Sequence, residues 1–69
     1  MVTEIREYGD KTIVIYTEDR ELAANLINRK RLIKFVPYEQ GLDMRLVGMD
    51  FYFPKKELGK LEKLIGSAT

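Results

Sequence analysis

The six-residue run Thr12-Ile13-Val14-Ile15-Tyr16-Thr17 is almost wholly β-branched or aromatic, and no other segment restricts the fold as tightly. Such residues lose side-chain freedom in a helix and pack well on a pleated surface, so the run predicts a strand. At Thr17 the pattern changes. Thr17-Glu18-Asp19 offers a capping hydroxyl followed by two carboxylates suited to the positive end of a helix dipole. Leu22, Ala23, Leu26 and Ile27 then fall on one stripe, with Arg20, Glu21, Asn25 and Asn28 outside it. The chain is therefore expected to pass directly from strand to helix.

The flanking segments extend that unit. Residues 2–8 read as a weaker strand, interrupted by Glu4, Arg6 and Glu7, and Gly9-Asp10 reads as the hairpin turn joining it to the strong one. A weak strand belongs at an edge. Downstream, residues 32–39 and 44–53 read as two more strands, separated by Gln40-Gly41-Leu42-Asp43. Pro37 has no N–H to donate, which suits an edge strand or a bulge. The last of these strands is the most hydrophobic segment and is expected at the centre. Pro54 suits the first position of a second helix, whose stripe Leu58, Leu61, Leu64 and Ile65 ends at Gly66. Gly59 weakens that helix by roughly 1 kcal/mol relative to alanine. The order β-β-α-β-β-α predicts the α+β class: a single two-layer domain over residues 1–66, with a four-stranded, mainly antiparallel sheet and two helices on one face. Residues 67–69 read as a loose C-terminal tail.

Composition narrows the chemistry. In 69 residues there is no cysteine and no histidine, which excludes a disulfide framework, a zinc knuckle, an iron–sulfur cluster, a thiol nucleophile and imidazole acid/base work. No cofactor and no metal are expected. Small secreted domains usually need disulfides, so the composition leans towards a cytoplasmic location. No apolar stretch is long enough to cross a membrane, and no targeting segment is visible. The net charge is only +1, but residues 1–28 carry three basic and six acidic side chains, net −3, and residues 29–69 carry nine and five, net +4.

Alternation sorts the strand residues onto two faces. Ile5, Ile13, Ile15, Ile33, Phe35, Val47, Met49, Phe51 and Phe53 form the expected core beneath the helices. Pairing positions whose numbers sum to 84 would set Lys34 opposite Asp50 and leave a three-residue loop. The same parity puts Val14, Tyr16, Val36, Tyr38, Leu46 and Tyr52 on the face that the helices do not cover. That set is unusually apolar and aromatic for a surface meeting only water. Three readings compete. Tyrosine and β-branched residues form good strands in any case. Alternatively, Tyr16, Val36, Tyr38, Leu46 and Tyr52 bind a protein partner or a second copy, keeping their hydroxyls wet at the rim. Or the tyrosines stack on the bases of a single strand.

The basic run Arg29-Lys30-Arg31, with Lys34 and Arg45, is a second candidate site, because phosphate contact needs clustered positive charge. A helix C-terminus also attracts such residues through its dipole. Lys55, Lys56, Lys60 and Lys63 interleave with Glu57 and Glu62 and read as solubilising charge. Glu18, Asp19 and Glu21 are the densest acidic group, but the first turn of a helix favours carboxylates for its own reasons. No glycine-rich phosphate loop occurs, and a chain this short has little room for a catalytic cleft. The sequence thus points to a small non-enzymatic interaction module using its tyrosine-bearing sheet face, with nucleic-acid binding as the alternative.

Overall fold

Strand pairing in this computed structural model, which describes residues 2–40 and 45–68, follows from the two hairpins. β1 (Thr3–Tyr8) pairs antiparallel with β2 (Thr12–Thr17), from Thr3 opposite Thr17 to Tyr8 opposite Thr12. Gly9 sits in the turn at φ +76°, where a Cβ would be strained. α1 (Arg20–Ile27) follows, then β3 (Lys34–Gln40) and β4 (Arg45–Pro54). A short 3-10 turn (Lys55–Glu57) leads into α2 (Leu58–Ala68). The sheet order is β1-β2-β4-β3, antiparallel throughout, with β1 and Pro37-bearing β3 at the edges and hydrophobic β4 inside.

Both helices lie on the side of Ile13, Ile15, Met49, Phe51 and Phe53, which they bury with Leu22, Ala23, Leu26 and Leu61. Fully burying a side chain of this size is worth about 1.5–3 kcal/mol, so these positions dominate the folding energy. Ile5 and Phe35 are partly buried against the same cluster. Ile33 and Val47 depart from the expected core, at 58% and 39% exposure. α1 packs across β2 and β4, so its cover stops short of the β3 flank, and an apolar groove of about 240 Å³ opens beside Ala24, Ile27 and Phe35.

Three boundaries also shift. Thr17 stays in β2, buried, with its hydroxyl shared between Thr3 Oγ1 (2.9 Å) and the Asp19 amide (3.0 Å). Asp19 is the N-cap instead, accepting from the amides of Glu21 and Leu22 at 3.0 and 3.4 Å. A carboxylate at that position satisfies amides the helix leaves open. Pro54 closes β4 rather than opening α2, since its ψ of 140° is extended. α2 runs through Gly66 to Ala68 instead of ending at Gly66, which lacks the positive φ of a left-handed stop. Met1 and Thr69 lie outside the described residues, as do Gly41, Leu42 and Asp43 of the expected hairpin loop.

The β3–β4 register differs by two residues from the expectation. Lys34 stands opposite Tyr52 and Val36 opposite Asp50, and the ladder shifts again at Tyr38/Glu39 through a bulge. A slip of two preserves every face, so alternation alone cannot detect it. The observed pairing lays Phe35 on Phe51, ring centroids 5.0 Å apart, which favours it within the core.

Candidate functional site

On the face away from the helices, Asp50 of central β4 lies between two pairs of tyrosines. Tyr16 and Tyr38 approach with centroids 6.3 Å apart, and Tyr8 and Tyr52 meet edge to face at 5.3 Å. Tyr16, Tyr38 and Tyr52 therefore share the expected face but are not one continuous platform. Tyr8 completes the second pair and is 62% exposed; Tyr38 is 42% exposed. Val36 is half-buried, while Val14 is buried beneath its neighbours instead of facing water. Leu46 lies in β4 opposite Glu39, and Arg45 opposite Gln40; the side chains expected to bind at Leu46 and Arg45 fall outside the described ones.

Gly48 makes the arrangement fit. The Tyr16 ring leans across its backbone, so closely that a Cβ there would stand 2.6 Å from Tyr16 Cε1 and Cζ. From that position the Tyr16 hydroxyl donates to Glu18 Oε2 at 3.0 Å. This bond to a carboxylate, then burial, raises the Tyr16 pKa above its ordinary value of 10.0.

Asp50 is 3% exposed, an unusual state for a carboxylate. The Tyr38 hydroxyl donates to its Oδ2 at 2.5 Å. That bond, followed by burial and the charge of Asp50, raises the Tyr38 pKa, opposed by nearby Arg6. The other oxygen, Oδ1, is buried with no hydrogen-bond partner among the described residues. Arg6 Nη2 lies 3.9 Å from it, too far for a hydrogen bond. Asp50 also lines a hollow of about 330 Å³ together with Arg6, Tyr8, Val14, Tyr38 and Tyr52. Glu7 reaches its rim and pairs with Lys55 at 3.2 Å.

Arg6, Tyr8 and Asp50 are the additions to the expected binding set. Their placement was open to the parity argument: Arg6 pairs with Val14 and Tyr8 with Thr12, so Ile5 pointing inward sends both to this face. What parity could not provide is the depth at which Asp50 sits.

The basic residues divide between the two sides. Arg29, Lys30 and Arg31 follow α1 in a connecting segment and border a cavity of about 290 Å³ with Phe53, Glu57 and Lys60 on the helix side. Glu57 already faces Arg31 Nε at 3.6 Å and Lys60 Nζ at 3.9 Å. Lys34 sits on the tyrosine face, its ammonium 5.1 Å from the Tyr52 ring centroid. A single phosphate track through Arg29, Lys30, Arg31 and Lys34 is thus not assembled.

Among the described residues, no group of three carboxylates, histidines or cysteines could hold a metal ion, and no helix is long and apolar enough to cross a membrane. Of the acidic group near α1, Asp19 is engaged in capping and Glu18 with Tyr16. Compared with known proteins, the chain matches no protein-family model, no curated protein sequence and no solved structure.

Proposed function

We propose that this domain is a non-catalytic interaction module that engages another protein through the open face of its sheet. The observation that carries the reading is the Asp50 hollow, a concave polar centre ringed by partly exposed tyrosine rings. Interface centres combine these features, with aromatic area supplying energy and a few placed polar groups supplying orientation. The rings are also held before binding, by Tyr38–Asp50, Tyr16–Glu18 and the packing of Tyr8 on Tyr52, which lowers the entropy lost on association.

The test selects ligands from a displayed peptide library on the folded domain and measures them against Tyr38→Glu and Ile33→Ser. Ligands that lose binding to Tyr38→Glu but keep it to Ile33→Ser, an exposed position outside the lining of the Asp50 hollow, support the open face. Light scattering over a concentration range separates self-association, for which the mass doubles and Tyr38→Glu restores the monomer. A monomer whose selected ligands are indifferent to Tyr38→Glu overturns the reading. Single-stranded nucleic acid binding that weakens steeply with salt, in place of peptide binding, would move the function to the other class.

A further inference from the structure

We propose that the hollow beside Asp50 is a subsite for a guanidinium group, supplied by an arginine side chain of the bound protein. The inference rests on the open-face reading and names the chemistry recognised at its centre. Four observations converge on it. Asp50 Oδ1 is a buried carboxylate oxygen without a hydrogen bond, and such an atom gains most from a charged donor. The Tyr38 hydroxyl holds Oδ2, so the carboxylate is fixed in orientation with Oδ1 left without a donor. The walls are the rings of Tyr8, Tyr38 and Tyr52, whose electron-rich faces attract cations; Lys34 already places its ammonium against Tyr52. The volume of about 330 Å³ is at the small end of ligand sites, near about 300 Å³, which suits the end of one side chain.

Arg6 explains why the subsite is not already satisfied from within. Its guanidinium is the cation nearest Oδ1 among the described ion pairs, yet it stays at 3.9 Å and remains largely exposed. β1 is an edge strand, and Arg6 leaves it opposite Val14, a position from which the side chain reaches the carboxylate without closing on it. An arriving guanidinium has no such tether. It would displace Arg6, donate to Oδ1 and lie against the tyrosine rings, and planar geometry suits both contacts better than an ammonium does.

The experiment titrates the domain with acetyl-Gly-Arg-Gly-amide and with its citrulline counterpart, which keeps the shape and removes the charge, following tyrosine fluorescence and backbone amide shifts. The arginine peptide is expected to bind at least about tenfold more tightly than the citrulline peptide, the scale of one charge-assisted hydrogen bond. Asp50→Asn should abolish that preference. Arg6→Ala should strengthen arginine-peptide binding, because it removes the internal competitor; a purely structural Arg6 would not do this. Equal binding of the two peptides, or Arg6→Ala leaving the affinity unchanged or weaker, overturns the subsite. If Asp50→Asn fails to fold, the Arg6→Ala and citrulline comparisons still decide. No arginine-peptide binding alongside library ligands that depend on Tyr38 refutes the subsite and leaves the open-face reading standing.

Discussion

Replacing Gly48 with alanine tests whether the tyrosine face is a packed structure or a loose set of rings. The new Cβ would stand 2.6 Å from Tyr16 Cε1 and Cζ, so the ring must swing away. Its hydroxyl bond to Glu18 is then lost, worth about 0.5–1.5 kcal/mol for a partly exposed pair. The contact with Tyr38 is lost too, worth about 0.5–1.5 kcal/mol. Against this, removing a glycine lowers the entropy of the unfolded chain and returns roughly 0.4–1 kcal/mol. Gly48 is not in the left-handed region, so no backbone strain adds to the cost. The net expectation is a loss of about 1 kcal/mol, a fall in Tm of about 4–8 °C for a domain of this size. Thermal unfolding followed by circular dichroism measures it. The decisive comparison uses a Tyr16→Thr background, which keeps a strand-forming residue but removes the ring. There Gly48→Ala should become stabilising by roughly 0.4–1 kcal/mol. An equal penalty in both backgrounds would refute the steric account.

Leu26→Ala, at a fully buried site, should cost about 2–5 kcal/mol, whereas Ile33→Ser should stay within about 0.5 kcal/mol; urea titration of both distinguishes the observed core from one built on alternation alone. Asp19→Ala should lose about 0.5–2 kcal/mol with its two capped amides, and Asp19→Asn much less; a loss shared equally by both variants would point away from capping. Because the folded-state pKa values of Tyr16 and Tyr38 are raised, the stability these hydroxyls contribute is present below pH 10.0 and is lost as pH rises through the raised values. Absorbance titration at alkaline pH should show native tyrosines ionising later than those in urea, and Asp50→Asn should remove part of that delay; coincident native and denatured curves would contradict the two hydrogen bonds.

The elements that could be read from residues are those with a dense local signal. The Thr12–Thr17 run, the Leu22/Leu26 stripe and the apolar length of β4 each specify their own structure, and together they imply the layer order. What escaped is set by partners rather than by neighbours in sequence. The two-residue slip of β3 on β4 depends on Phe35 meeting Phe51, which no alternation pattern encodes. Ile33, which precedes β3, and Val47, which the ladder skips at the bulge, are exposed where the regular alternation stops. At the site, the sequence reading sends Tyr16, Tyr38 and Tyr52 to one face and leaves out Tyr8, and the division of the four rings into two pairs depends on Gly48 admitting Tyr16. The depth of Asp50 arises from the rings around it. An isolated aspartate in an apolar strand signals only that something polar is tolerated there.

The placement of β4 between β2 and β3 also governs how the chain reaches its native state. β2 and β3 run parallel with β4 inserted between them, so Ile15 must wait for Phe51, far along the chain. The first hairpin and α1 cannot by themselves shield Ile13 and Ile15, whose apolar neighbours Phe51 and Phe53 arrive later. Distant pairing of this kind makes the loop-closure entropy fall due before the contacts that offset it form. Ile13 and Ile15 therefore stay uncovered in any chain that lacks β4 and α2, and the core is complete only once Phe51, Phe53 and Leu61 are in place.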